Sequence, residues 1–308
     1  MKGAGIQAIN GQVELLDLAE PPAPTGNQIL IDVRAAGIGN WDDLARIGSW
    51  NIGISPPMSL GTEAAGTVVS IGPLSSRFAV GDEVLVHSTP LVFQGAWAER
   101  FLTREDDVAA KPKAMDWPTA GVLPIPLLTA FELVGLASLG PDDPVLVNGA
   151  GGVTGRLIVA AAAGEGARVF ATCSPGAARL VRSYGAVETI DHHDGHWAGN
   201  AKRFAPGGFK LAINAARGHA DAVLGLVADG GQLVTITGDP PHPERAISVT
   251  DFYVKPSGLT LERGASEFVA RRFELAIASR GGFDLANALL AKAVAGAAGG
   301  ANVLIPNT

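Results

Sequence analysis

At 308 residues and 47% hydrophobic content, the chain is too long for one ordinary core and carries enough apolar side chains for two. The formal net charge is -7 and no basic run occurs, which argues against nucleic acid as the main partner, since phosphate binding depends on clustered Lys and Arg. No stretch reaches the ~18 apolar residues of a membrane span. The start, MKGAGIQAINGQVELLD, lacks the apolar core of an export signal, so a cytoplasmic protein is expected. Cys173 is the only cysteine, which excludes an intrachain disulfide and any zinc site built from several thiolates.

In chain order, the first third reads as short strands separated by turns: GAGIQAI, QVELLDL, QILIDVRAAGI, AGTVVSIG, DEVLVHS and AWAERFLT. This predicts an all-β unit, a barrel or a sandwich. From about Trp117 the pattern changes to helix and strand in alternation. TAFELVGLASLG reads as a helix, VLVNGAG as a strand, VTGRLIVAAAAGEG as a helix, ARVFATC as a strand, GAARLVRSYGA as a helix and VETIDHH as a strand. KLAINAA, GQLVTITG and LTLERGA are further predicted strands, with a helix at ADAVLGLVADG. Apolar strands alternating with helices predict βαβ units and a doubly wound parallel sheet. Two helical patterns, FVARRFELAIAS and FDLANALLAKAVAGAAG, and a last strand, NVLIP, have no sheet of their own to complete. They are expected partly to return to the first domain.

The most informative stretch is VLVNGAGGVTGRLIVAAA, a strand, a glycine-rich loop and a helix. A helix amino terminus offers free N–H groups and the positive end of a dipole, where a pyrophosphate can sit. Gly149, Gly152 and Gly155 fit a tight turn that lets backbone approach the phosphates, with Val153 and Thr154 opening the helix. The next strand selects the dinucleotide. A site for NAD places Asp or Glu at its end, whereas here it ends Thr172, Cys173, Ser174, with Arg179 following. NADP(H) is therefore the expected cofactor. Ser174 as an N-cap and Arg179 on a solvated helix face are compatible alternatives.

The chain also resembles the medium-chain dehydrogenase/reductase superfamily, in its zinc-free quinone oxidoreductase, zeta-crystallin-like branch. The resemblance runs through ILIDVRAAGIGNWDDLARIG, GTEAAGTVVSIG, FAVGDEVLV and LTAFELV, then through the glycine loop, RSYGAVETIDHHD and GGQLVTITG, nearly end to end. It implies an α/β chain in which a Rossmann doubly wound parallel sheet, residues 118–265, is inserted in a GroES-like β-barrel domain formed by residues 1–117 and 266–308. It also implies NADP(H) in the cleft and a homodimer or homotetramer. Zinc-dependent members have a cysteine just after the Gly37-like position and a histidine before the glutamate of GTE; here Ile38, Gly39 and Asn40 occupy the first place and Thr62 the second. No metal is expected.

Further residues are carried over by motif. The resemblance places Asn40 near the nicotinamide and Thr129 against its amide, and makes cofactor-facing turns of Asn214, Ala215 and Ala216 and of Thr237 and Gly238. Asn40 as a helix cap and Thr129 as an ordinary helix hydroxyl are the plainer readings. Trp50 stands where relatives often have a tyrosine near the substrate, and His192 where they have an aromatic near the 2′-phosphate. Tyr253 is the remaining candidate phenol for proton delivery, with water as the alternative. Trp50, Phe93 and Tyr253 are expected to line the substrate site. Tyr184 replaces a core aliphatic, and the segment between Ser279 and Phe283 is shorter than in relatives, without a strand-like stretch. The expected activity is NADPH-dependent reduction of quinones or α,β-unsaturated carbonyls. A non-catalytic NADPH-binding or sensor protein and a zinc-free alcohol or ketone reductase are the alternatives.

Two other groupings are discounted. DHHDGHW, Asp191 to Trp197, packs three histidines among two aspartates, but consecutive loop residues seldom converge on one centre. Asp42 and Asp43 open a helix, where acids favour the dipole, and Asp43 is expected to pair with Arg46. Hydrolase and kinase motifs are absent.

Overall fold

The computed structural model describes residues 1–137, 139–296 and 300–306. They divide into two compact units: Met1–Leu128 with Lys255–Thr308, and Thr129–Val254.

In the first unit, β1 (Lys2–Ile6) pairs antiparallel with β2 (Glu14–Asp17). The long β3 (Gln28–Ile38) leads through Gly39 and Asn40 into the short helix α1 (Trp41–Arg46). Next come β4 (Met58–Ser59), which returns to β1, and β5 (Glu63–Ile71), β6 (Glu83–His87), β7 (Arg100–Arg104) and β8 (Val108–Ala110). β5 pairs with β3, β6 with β5, and β8 with β6, all antiparallel, while β7 takes the first part of the other edge of β3. One face of these strands closes on a core that contains Ile29, Ile31, Val84, Val86, Trp97 and Phe101. Trp97 is fully buried because its one polar atom, Nε1, donates to the Gly37 carbonyl at 2.8 Å.

The chain leaves this sheet through α2 (Trp117–Val122) and α3 (Pro124–Leu136). Asp116 caps α2 by accepting from the Thr119 N–H. Val122 of α2 packs with Ala35 of β3 on the sheet's other face, so strands with apolar residues on both sides are covered on both sides.

The second unit contains β9 (Pro144–Asn148), α4 (Val153–Gly164), β10 (Arg168–Cys173), α5 (Ala178–Ser183), β11 (Glu188–Asp191) and α6 (Trp197–Phe204). It continues with β12 (Phe209–Asn214), α7 (Ala220–Leu224), β13 (Val227–Thr235) and β14 (Ser248–Asp251). The six strands form a parallel sheet in the order β11-β10-β9-β12-β13-β14. The order reverses direction at β9, the switch point at which open α/β sheets take ligands.

The last segment belongs to the first unit. It comprises α8 (Gly258–Ala270), β15 (Ile277–Gly281), α9 (Ala286–Val294) and β16 (Ala301–Leu304). β16 pairs with the second part of the free edge of β3, and β15 runs parallel to β16 with α9 as the crossover. Because α2 packs on β3 and β5, and α8 on β8 and β6, both helices group with the first unit. The division therefore falls at Leu128/Thr129 and Val254/Lys255, inside the 118–265 span drawn from the sequence.

Four sequence expectations differ from the fold. LTLERGA is helical, not a strand. Its L-T-L alternation spans less than one turn, whereas Leu261, Ala265 and Phe268 bury one helical face and Ser257 caps the amino end by accepting from the Thr260 N–H. FVARRFELAIAS is not one helix: α8 ends at Ala270, and the segment resumes as β15, held by the Ala301 N–H on the Ala276 carbonyl. β15 also places a strand up to Gly281, where the sequence led us to expect a missing one. In ADAVLGLVADG the helix stops at Leu224, and Leu226 and Val227 are buried against Phe209 as β13 begins. Residues 297–299 of the last predicted helix and Ser138 of TAFELVGLASLG lie outside the described residues.

Candidate functional site

The loop after β9 is shaped by two glycines. Gly149 has φ +89°, a conformation L side chains rarely adopt, and a Cβ there would meet the Ala215 carbonyl carbon at 2.9 Å. At Gly155 a Cβ would lie 2.4 Å from the Gly149 carbonyl oxygen, so α4 can approach the loop this closely only without a side chain. Gly152 is the helix N-cap, and Val153, Thr154 and Gly155 follow, the positions whose N–H groups lack partners within the helix. From behind, buried Arg156 braces the loop by donating to the Gly151 carbonyl at 2.8 Å. Burial lowers its pKa, and its guanidinium lies 6.0 Å from the ring of Tyr184, itself buried.

A row of polar side chains crosses the carboxyl ends of the sheet. Asn148 pairs in register with Asn214, Asn214 with Thr235 and Thr235 with Asp251, while Thr172 stands beside Asn148. Thr172 Oγ1 accepts from the Gly149 N–H at 2.9 Å and donates to Asn148 Oδ1 at 2.6 Å. Asn148 Nδ2 donates to Asn214 Oδ1 at 2.8 Å, and Asn214 Nδ2 to Thr237 Oγ1 at 3.1 Å. Thr237 Oγ1 donates in turn to Asp239, whose other oxygen accepts the Gly218 N–H at 2.7 Å. Burial works against the charge on Asp239, yet the hydrogen bonds from Thr237 and Gly218 hold its pKa below the usual carboxylate range.

Ala215 and Ala216 are half-buried in the loop after β12, where the Ala216 N–H reaches Asn214 Oδ1 at 3.3 Å. Thr237 is half-buried and Gly238, at φ +72°, is exposed in the loop after β13. Asn148, Thr235 and Asp239 were not singled out in the sequence, and Thr172 was named only at the end of its strand. The available signal was that VLVN, VFAT, LAIN and LVT are apolar runs each ending on an amide or hydroxyl.

At the end of β10, Ser174 is half-buried and makes no side-chain cap hydrogen bond, and Arg179 is exposed on α5. His192 is exposed beyond β11, its ring centroid 4.0 Å from that of His193. His193 Nδ1 lies 2.9 Å from Asp191 Oδ1, and the Asp191 carboxyl is held below its ordinary pKa chiefly by the His193 backbone N–H. The ligand atoms of Asp191, His192 and His193 lie within 4.8 Å of one another, so these neighbours do converge more than the loop reading anticipated. Tyr253 is exposed. Its OH donates to Asp251 at 2.8 Å, which raises the phenol pKa, and lies 3.8 Å from the Cβ position of Gly238. Thr129 is buried in α3.

In the first unit, Asn40 is exposed and makes no side-chain cap hydrogen bond, so it is not holding α1 as a cap. Trp50 is half-buried against the barrel core, and Phe93 is half-buried in the loop between β6 and β7. Arg46 does donate to Asp43, at 2.6 Å. Asp42 departs from the reading as a helix-dipole acid. It is 1% exposed, accepts only the Gly39 N–H at 2.9 Å, and its Oδ1 has no partner. Burial pushes its pKa up to about 8. Glu63, also buried, accepts the Ile125 N–H at 2.8 Å and is raised well above the carboxylate range by burial, with the Asp42 charge adding to the effect. His87, buried on β6 with its Nδ1 3.0 Å from the Thr62 carbonyl, is lowered to about 4.

The alcohol dehydrogenase GroES-like domain family matches residues 25–113. The quinone oxidoreductase of Homo sapiens is 26% identical over 219 residues, covering 70% of this chain and 66% of that protein. The 2-methylene-furan-3-one reductase of Solanum lycopersicum is 30% identical over 252 residues, covering 78% of this chain and 63% of that protein. The structure of Escherichia coli quinone oxidoreductase complexed with NADPH has the same fold, with TM-score 0.86 over 99% of this chain and 100% of that one, at 20% identity. Across the curated relatives it matches, the chain spans from a tenth to about two thirds of their length. The chain thus joins a region similar to the alcohol dehydrogenase GroES-like domain to a parallel Rossmann sheet, the fold of the quinone oxidoreductase structure.

Proposed function

We propose that the protein is an NADPH-dependent, zinc-free reductase of quinones or α,β-unsaturated carbonyls. The observation that carries this reading is the loop after β9, where Gly149 and Gly155 leave space only for backbone, next to a β10 end that has Ser174 and Arg179 and no carboxylate. The dinucleotide fits this cradle: its pyrophosphate at the first N–H groups of α4 and its 2′-phosphate toward Ser174, Arg179 and His192. The names of the human and tomato relatives support the two acceptor classes.

When bound, NADPH supplies a hydride from its nicotinamide C4 to the electrophilic acceptor. Asn40 and Thr129 are assigned to orient the ring, Asn214 to Ala216 and Thr237 to Gly238 to face the cofactor, and Trp50, Phe93 and Tyr253 to line the acceptor site. Zinc does not fit the position it takes in zinc-dependent relatives, because Gly39, Asn40 and Thr62 offer neither thiolate nor imidazole. We also assign the protein to the cytoplasm as a homodimer or homotetramer, on the same resemblance.

The Tyr253 phenol already donates its hydrogen bond to Asp251, which suits lining the acceptor site better than delivering a proton. Tyr253→Phe is accordingly expected to raise KM and leave kcat within about threefold, where loss of a general acid costs 100-fold or more. The same engaged phenol supports the second reading, an NADPH-binding protein without turnover. Arg179→Ala is expected to weaken NADPH binding about tenfold and leave NADH binding unchanged, the loss of one charge-assisted contact to a phosphate. Oxidation of NADPH by the purified protein against a panel of quinones, enones and simple ketones tests the proposal. Turnover on quinones or enones supports it, and tight binding with no turnover on any of them favours the second reading.

A further inference from the structure

The chain of hydrogen bonds across the sheet has a direction, and Asp239 sets its far end. A carboxylate accepts only, so Thr237 spends its single hydroxyl hydrogen on Asp239 and receives from the Asn214 amide and from the Thr235 hydroxyl, whose Oγ1 lies 2.8 Å from Thr237 Oγ1 and 3.3 Å from the same carboxylate. Asn214 must then point Nδ2 at Thr237 and Oδ1 at Asn148. Asn148 in turn presents Nδ2 to Asn214 and Oδ1 to Thr172. Thr172 donates to Asn148, which leaves its lone pair for the Gly149 N–H. The polarity of these links, up to the glycine loop, thus accords with a charge two strands away, and the Ala216 N–H on Asn214 Oδ1 at 3.3 Å and the Gly149 N–H on Thr172 hold the same direction. Asn148, Thr172 and Asn214 are buried, where an unpaired amide or hydroxyl is costly, so one reversed link penalises the rest.

The links also join three loops that the proposed function makes cofactor-facing. Gly149 lies in the loop after β9, Ala216 and Gly218 in the loop after β12, and Thr237 and Asp239 in the loop after β13. We infer that Asp239 is a positioning residue which, through Thr237, Asn214, Asn148 and Thr172, holds the glycine loop and the two neighbouring loops in one arrangement. The nucleotide part of the inference rests on the NADPH reading of the previous subsection; the coupling among the loops does not.

A double-mutant cycle with two readouts tests it. Asp239→Asn can donate as well as accept, so it releases the polarity, and Thr172→Val removes the link to Gly149. Without nucleotide, amide hydrogen exchange at and around Gly149 is expected to speed up about tenfold in Asp239→Asn, at unchanged overall Tm. NADPH affinity is expected to fall about tenfold in each single variant and no further in the double variant, whereas residues without shared partners lose affinity additively. Unchanged exchange at Gly149 in Asp239→Asn, or additive losses of affinity, would overturn the inference. Altered exchange in a protein that binds no NADPH would leave the coupling standing and refute the cofactor reading instead.

Discussion

Gly155→Ala is expected to weaken NADPH binding about 100-fold. The added methyl group would lie 2.4 Å from the Gly149 carbonyl oxygen and 2.9 Å from Ala150 Cα, both backbone atoms that no rotamer change can move aside. Either α4 withdraws from the loop or the loop opens, and overpacking of this kind costs about 1–3 kcal/mol in a well-packed region. In the binding reading this cost falls on the N–H groups that would meet the pyrophosphate, so affinity suffers more than stability. Gly176→Ala is the control, since nothing lies within 4 Å of its Cβ position and its φ is ordinary. Fluorescence titration of NADPH with both variants measures the difference. Equal affinity in Gly155→Ala and wild type would mean that the loop does not hold the dinucleotide.

Asp42→Asn is expected to remove much of the pH dependence of stability between pH ~4 and about 8. The pKa of Asp42 is raised from 3.8 to about 8 by burial, so the folded protein holds its proton more tightly than the unfolded chain. The stabilising contribution of the protonated group is therefore complete below pH ~4 and is lost progressively as pH rises through about 8. Asparagine keeps the oxygen that accepts the Gly39 N–H and has no proton to lose. His87 has the opposite sign, because its folded pKa is lowered and it destabilises the fold as pH falls below ~6.5. Comparing the two proteins between pH ~6.5 and 8 isolates the carboxyl. There the variant gains on wild type by about 2 kcal/mol, one pKa unit being worth about 1.4 kcal/mol. Glu63, raised by the same burial, leaves part of the slope in the variant. Urea unfolding across this window is the measurement, and parallel curves would show that Asp42 is ionised in the fold.

The division of what the sequence revealed follows from range. Gly149 and Gly155 were legible because a strand, a turn and a helix meet within a dozen residues, and the turn needs glycine for reasons local to it. The six-stranded parallel sheet was legible for a similar reason, since strands buried on both faces become continuous apolar runs such as VLVN and LAIN. LTLERGA was misread because its alternation is shorter than one turn, and the face formed by Leu261, Ala265 and Phe268 emerges only over the whole helix. β15 was hidden because an edge strand with every other residue exposed owes its form to β16, more than twenty positions further along.

The candidate site divides in the same way. Asp42 looked like an ordinary acid at a helix start, and its burial depends on how α1 sits in the barrel unit. Asp239 lies in a loop sequence, TGDPP, with no motif of its own. Its place in the row comes from the register of β9, β12 and β13, which only the assembled sheet supplies.

Transfer of deuterium from NADPH carrying deuterium at both nicotinamide C4 positions tests the central claim most directly. With an α,β-unsaturated ketone as acceptor, the account predicts that the label appears on the β-carbon of the reduced product, one deuterium for each NADP⁺ formed. NADPH that binds but keeps both deuterium atoms with every enone and quinone offered would contradict it.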